Sequence, residues 1–538
     1  SKKSAKDFAG QPLTILSISW DEDESTWKDF IQKNGMTWPQ YLPGSCSTGP
    51  PPSTLPDLRS LVTKASDTPA GFLALTLHAH LPYVVGHGTW PHGMEWLHEA
   101  AAETYLPLLR ILASLQRDNI PANFNLILSP ILLEQLTHPF FIAEFPKYLS
   151  RKIVAAREDE AYFIQSGDNH LAETARLWYR FFSAALDDFN AINGDIVAAF
   201  RSFYDAGAIE ILTSAATHGY LPLLGTDESL RAQLSLAVET HIRHFGRPPR
   251  GIWSPECGYR PAGLWSYPIL DAGATEPHPP FQRIGVDQAI ANSVLDYFFV
   301  DTPLIEGCSV ISTPSPDFQN PRRALYQPYH VQPSPEESAA TPPTVFPRDP
   351  RSAVQVWSGE QGYPGDPNYL DFHKKRFPGG HRYWQVTGPH AGIDDKAPYF
   401  PDQAAERVRV HAAHFVQLVC ETLQPAFCEN CPPVLTAPFD AELFGHWWFE
   451  GPQWLEAVAR ELHRLSQPNP ESDRPPQPII AAVRCGDFLD RFPRAASITM
   501  QEGSWGVEGN HQVWLNPETA WTYTHIYPAE LYLRALAS

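Results

Sequence analysis

Short apolar runs, each followed by a longer helical stretch, constrain this chain more than any other feature. The runs at residues 71–77, 123–128, 208–213, 251–253, 353–357 and 433–437 are expected to be strands. Helical patterning covers 403–423, 453–465 and 521–536. Strands that alternate with helices predict an α/β fold built on a parallel sheet. His78, His218, Glu256, Trp357 and Asp440 each fall just after one of these runs. A parallel barrel assembles its active site at the C-terminal ends of its strands, so these five are expected along one rim.

Two of the five are carboxylates set among aromatics. Glu256 lies close to Trp253 and Tyr259, and Asp440 close to Phe439, Phe444, Trp447 and Trp448. A pair of carboxyl groups at one rim is what a retaining glycosidase requires, one to attack and one to shuttle a proton. With 60 acidic residues in the chain, the aromatic setting is what singles this pair out. His78-Ala79-His80 ends the first run, and alternation along a strand points both rings the same way. A polar rim or hydrogen bonding to sugar hydroxyls accounts for these rings; a His-x-His metal site is the alternative.

Composition narrows the partners. The formal charge of −20 and the lack of any Lys/Arg-rich stretch argue against a nucleic-acid partner. No apolar run is long enough to cross a membrane, and Ser1-Lys2-Lys3-Ser4 lacks the apolar segment of a secretion signal, so a cytoplasmic protein is expected. Seven cysteines form no disulfide framework. Cys428 and Cys431 make a Cys-x-x-Cys with Cys420 as the nearest further donor, too few for a zinc site, and no metal or cofactor is expected.

The front of the chain reads separately. Residues 13–41 resemble the middle of a thioredoxin-like domain without its redox cysteines, and 45–56 read as a Ser/Gly/Pro linker. Residues 276–280 and 314–350 are Pro-rich and are expected to be long loops.

Five ordered motifs extend this reading. They are His78-Ala79-His80-Leu81-Pro82-Tyr83; Gly207-Ala208-Ile209-Glu210-Ile211-Leu212-Thr213 running into Thr217-His218-Gly219; Trp253-Ser254-Pro255-Glu256-Cys257-Gly258-Tyr259; Phe439-Asp440-Ala441-Glu442-Leu443-Phe444-Gly445-His446-Trp447-Trp448; and Trp505-Gly506 with His511-Gln512-Val513-Trp514-Leu515-Asn516. Together they resemble glycoside hydrolase family 57, most of all its branching-type members.

The resemblance implies a (β/α)7 barrel followed by an α-helical C-terminal domain. The expected division is 1–66 thioredoxin-like fragment and linker, 67–400 barrel with loop insertions, and 401–538 the last barrel strand (433–440) plus the helical domain. That domain continues further in the family, so here it is expected to be cut short. The resemblance also implies Glu256 as nucleophile and Asp440 as acid/base, acting on an α-1,4-glucan without metal or organic cofactor. It places Arg348, Gly365 and Trp505 against the glucan, His78, His80 and His218 at the donor subsite, and Trp96, Trp357 and Trp514 as aromatic groove residues. The expected activity is 1,4-α-glucan branching. Within the family the alternatives are 4-α-glucanotransferase and α-amylase. A glucan-binding protein without turnover and a metal-dependent deacetylase-like barrel using His78 and His80 are readings from other classes. The oligomeric state has no signature in the sequence.

Overall fold

The computed structural model describes residues 69–89, 93–269, 278–332, 342–428, 431–467 and 480–537. The thioredoxin-like reading, the linker and part of the 276–280 segment lie outside the described residues.

Seven parallel strands form the central sheet: β1 (Gly71–Ala79), β2 (Phe124–Leu128), β3 (Ile209–Ser214), β4 (Gly251–Trp253), β5 (Tyr297–Val300), β6 (Thr344–Pro347) and β7 (Val434–Asp440). They run in the order β7-β1-β2-β3-β4-β5-β6, every neighbouring pair parallel. A parallel bridge from Arg348 to Thr436 joins the end of β6 to β7 and closes the ring. The expected (β/α)7 architecture is therefore present. Almost every strand residue is buried, which explains why the strands read as continuous apolar runs and not as alternating ones.

Helices cover the outside. After β2 comes a long antiparallel pair, which follows the helix α1 (Leu106–Arg117) in sequence: α2 (Pro139–Ser166) and α3 (Asn169–Ala191). Gly167, at φ 82°, supplies the left-handed turn that ends α2. Phe141 and Phe145 on α2 pack on Phe189 of α3, and full burial of one such ring contributes about 1.5–3 kcal/mol. After β3 comes α4 (Asp227–Phe245), capped by the Thr226 hydroxyl, with acidic residues in its first turn, basic ones in its last and Gly246 beyond.

Two expectations change here. Residues 353–357 are helical, within α5 (Pro350–Trp357). The carboxylate of Asp349 accepts from Ser352 N (2.6 Å) and Pro350 stands at the first position, so cap and proline start a helix where the apolar run had suggested a strand. Trp357 thus ends a helix. The Pro-rich 314–350 segment is also not one loop. It holds a strand at Tyr329–Val331 and the barrel strand β6, whose Pro347 is its last residue.

The helices α6 (Pro401–Leu423) and α7 (Gly451–Ser466) flank β7 in sequence and meet through Phe415 and Trp454, centroids 4.9 Å apart. Beyond them a short strand, Ile480–Ala482, pairs with β1. A second, Ala496–Thr499, lies between Tyr329–Val331 and Ser309–Ser312. The segment around Trp505 follows, and then α8 (Ala520–Ala537), whose Glu530 accepts from Gly225 N.

Candidate active site

Each of the seven strands delivers a polar side chain to the same rim. His78 is the penultimate residue of β1, Ser129 follows β2, Ser214 ends β3, Glu256 follows β4, Asp301 follows β5, Arg348 follows β6 and Asp440 ends β7. The β1–β7 register sets His78 directly beside Asp440, and His78 Nδ1 lies 3.2 Å from Asp440 Oδ1.

Glu256 occupies a strained turn. The chain leaves β4 through Ser254-Pro255, and Glu256 and Cys257 then take positive φ angles of 61° and 51°. His218 (φ 56°) and Glu508 (φ 60°) share that conformation. Such geometry costs on the order of 1–3 kcal/mol per residue and persists where the surroundings fix it, most often at functional sites. The surroundings here are specific. Trp505 Nε1 donates to Glu256 Oε2 (2.6 Å), Trp505 N donates to Glu256 O (3.0 Å), and His218 Nε2 lies 3.6 Å from Glu256 Oε1.

Three imidazoles stack between the two carboxylates. His80 and His218 have centroids 3.9 Å apart, His78 and His218 4.9 Å, and His78 also stacks on the buried Trp253 at 5.2 Å. Ser129 Oγ lies 3.0 Å from His80 Nδ1, and Ser214 Oγ 3.1 Å from His218 Nδ1. These hydroxyls hold the rings edge-on. His78 Nε2 is buried without a protein partner, a group that a sugar hydroxyl would satisfy.

The surroundings of Glu256 fix its charge. Burial pushes the Glu256 carboxyl up, but hydrogen bonds from His218 and Trp505 and the charges of His218 and His78 outweigh it and hold the group below the usual carboxylate value. Glu256 is therefore ionised near neutral pH. Burial and the neighbouring rings hold His80 well below an ordinary histidine. His218 is lowered too, by burial first, with the Glu256 carboxylate opposing. Asp440 has 35% of its side chain exposed.

Arg348 lies on the same rim, at the end of β6. Its guanidinium lies 5.1 Å from the Trp505 ring centroid and 3.8 Å from Asp301. Trp514 stands one layer further out, stacked on Tyr220 at 4.3 Å, and Tyr220 Oη bonds His511. The other three expected contacts have different surroundings. Gly365 lies in the tight turn Tyr363–Gly365, where a Cβ would come 2.1 Å from Gly359 O. Trp357 is 41% exposed at the end of α5, and Trp96 is half-buried against the main core. Their place at a glucan rests on the resemblance.

Sequence reasoning missed Ser129, Ser214 and Asp301, although each ends or follows an apolar run as the chosen residues do. It also gave no role to Glu442, which accepts from His80 N (3.1 Å) and Tyr105 Oη (2.5 Å).

Among the described residues, one set of donors converges tightly enough for a metal: Asp317, Cys428 and Cys431, within 4.8 Å of one another. Asp317, and not Cys420, is the third donor. Arg323 lines the same cavity, and its positive charge opposes a cation there. The histidines of the rim stack face to face instead of converging on a point.

The chain is similar to several known proteins. The family model described as glycosyl hydrolase family 57 matches residues 74–467. A 1,4-alpha-glucan branching enzyme of Thermococcus kodakarensis is 39% identical over 473 residues, 87% of this chain and 65% of the relative, so the chain spans just under two thirds of that protein's length. The crystal structure of a GH57-type branching enzyme from Pyrococcus horikoshii superposes with a TM-score of 0.74 at 38% identity, covering 86% of this chain and 78% of that one. The alpha-amylase AmyC of Thermotoga maritima gives 0.66 at 28% identity, covering 82% and 79%.

Proposed function

Because the chain belongs to glycosyl hydrolase family 57, we propose that it is a retaining α-glucan-processing enzyme whose reaction is 1,4-α-glucan branching, with Glu256 as nucleophile and Asp440 as acid/base. The observation that carries this reading is the unequal treatment of two carboxylates across one stack of histidines. Glu256 is held ionised by the Trp505 indole and the His218 ring, as a nucleophile must be. Asp440 sits beside His78 with 35% of its side chain exposed, open to the glycosidic oxygen of a bound glucan.

In the first step Glu256 attacks the anomeric carbon of an α-1,4-linked glucosyl unit, while Asp440 protonates the departing glycosidic oxygen. The configuration inverts and a covalent β-glucosyl-enzyme forms. In the second step the 6-hydroxyl of an acceptor chain attacks that carbon and passes its proton to Asp440. The second inversion restores the α configuration and releases Glu256. Arg348 and Trp505 form a cationic and aromatic wall beside the nucleophile, and His78 Nε2 is placed to meet a hydroxyl of the bound sugar. Gly365, Trp96, Trp357 and Trp514 line the glucan path in this reading.

The choice of branching over hydrolysis is supported by the branching relatives at 38–39% identity, above the 28% of the amylase. The reading extends to synthesis of glycogen-type glucan in the cytoplasm, a compartment compatible with the six free cysteines among the described residues.

The test is incubation of the purified protein with amylose, followed by enzymatic debranching and chain-length analysis. New short linear chains that appear only after debranching, and are absent with Glu256→Gln, are the expected result. Shortened amylose with no chains released by debranching would sink the branching assignment.

A further inference from the structure

The turn that carries Asp440 is clamped by a feature that the reaction scheme does not use. Residues Ala101–Tyr105 form a π-helical turn between the helix Met94–Ala100 and α1, and all five are buried. A π turn inserts one residue into a helix and re-aims the side chains around it, and it recurs at functional sites. Here it faces the segment just after Asp440. Tyr105 Oη donates to Glu442 Oε1 at 2.5 Å, and His446 N donates to Thr104 Oγ1 at 3.3 Å. Gly445, at φ 111°, packs so closely that a Cβ would stand 1.7 Å from Glu103 O. Arg382 ties both sides together, donating to Glu103 Oε2 (2.5 Å) and to His446 O (3.2 Å).

One oxygen links this clamp to both halves of the site. Glu442 Oε1, which takes the Tyr105 hydroxyl, also accepts from His80 N at 3.1 Å. On one side Glu442 is two residues from Asp440 along a tight 3-10 turn, Ala441–Leu443. On the other, the His80 ring stacks on His218, which faces Glu256. A shift of Glu442 therefore moves the acid/base turn and the histidine stack together.

We propose that Tyr105, presented by the π turn, is a positioning residue: through Glu442 it fixes the angle of Asp440 and the place of His80. Burial first, then the Asp440 charge, pushes the Glu442 carboxyl up to about 8, and burial raises the Tyr105 hydroxyl as well. Glu442 is thus a neutral acid at pH 7, and its bonds to Tyr105 and His80 use it as an acceptor, which an amide reproduces. Asp440, Tyr105 and the His80 backbone are the groups that face it.

The proposal rests on the acid/base role of Asp440, and the experiment separates the two. Tyr105→Phe, Glu442→Ala and Glu442→Gln are compared with the unaltered protein on amylose and on an α-maltosyl fluoride, whose leaving group needs no proton. Tyr105→Phe is expected to lower kcat on amylose about tenfold, part of the 10²–10⁴ that a placed general acid contributes, with KM within twofold. On the fluoride its glycosylation step, followed as the fluoride burst, stays within twofold. Glu442→Ala loses more, and Glu442→Gln recovers most of that loss. Equal kcat for Tyr105→Phe and the unaltered protein on amylose would overturn the proposal. So would an equal loss on both substrates, which is the signature of a general structural defect. A thermal melt of each variant scales the rates to the folded fraction. Failure of the unaltered protein to act on either substrate would instead refute the proposed function.

Discussion

Glu256 is gripped by the Trp505 indole, the His218 ring and its own left-handed turn, whereas Asp440 ends a regular strand with a third of its side chain exposed beside His78. One carboxylate is enclosed by donors and the other lies open to solvent on one side. A nucleophile needs a constant charge and a constant direction of attack, so strain and buried donors suit it. An acid/base must reach the glycosidic oxygen and then the acceptor hydroxyl, so an exposed face suits it.

The comparison breaks most visibly when each carboxylate is replaced by its amide. Glu256→Gln is expected to lose a factor on the order of 10⁴ or more in kcat on amylose, because no covalent step remains. The loss should persist on an α-glycosyl fluoride. Asp440→Asn is expected to lose about 10²–10⁴ on amylose and to recover its glycosylation step on the fluoride. Rates measured on both substrates decide this, and a matching response from the two variants would erase the distinction.

A middle-sized effect sharpens the grip on Glu256. Trp505→Phe keeps a ring beneath Arg348 but removes the donor to Glu256 Oε2. A hydrogen bond to a charged group is worth about 1.5–3 kcal/mol, so kcat/KM should fall roughly 10–100-fold. The sign in pH follows from the donor's preference for the ionised form. With it gone the Glu256 carboxyl titrates higher, and the acid limb of the kcat/KM profile moves to higher pH. An acid limb that stays in place would show that the indole orients Glu256 without tuning it.

The smallest effect lies away from both groups. Trp357→Ala at the exposed end of α5 should change stability by no more than about 0.5 kcal/mol. If Trp357 touches glucan, KM rises a few-fold with kcat unchanged, the pattern of lost ground-state binding. Calorimetry and steady-state kinetics on the same preparation check both.

The strands that could be read from sequence were those with an apolar run between clear turn residues, such as β1 and β7. Strand β6 was not identified because it ends on Pro347 inside a Pro-rich stretch, and β5, a four-residue apolar run between Asp296 and Asp301, was overlooked. The 353–357 run was misread because its apolar residues outweighed the Asp349-Pro350 start signal beside them. The carboxylates and histidines were legible because strand-end position and aromatic neighbours mark them locally. The Tyr105–Glu442 bond was not, since it joins residues 337 apart through a π turn that no short pattern announces. Nor was the meeting of Arg348, Asp301 and Trp505, which depends on how three loops fold back over one rim.

The way the ring closes has a consequence for the timing of synthesis. β7 is laddered to β1 along seven residue pairs but meets β6 through the single Arg348–Thr436 bridge. His78 therefore waits for a partner 362 residues downstream, and Glu256 for one 249 residues downstream. Domains emerge from the ribosome N-terminal end first. A chain that has emerged only through β6 holds Glu256 without Asp440 or the Trp505 indole, and its first strand is open along one edge. Such a chain completes its rim late and all at once.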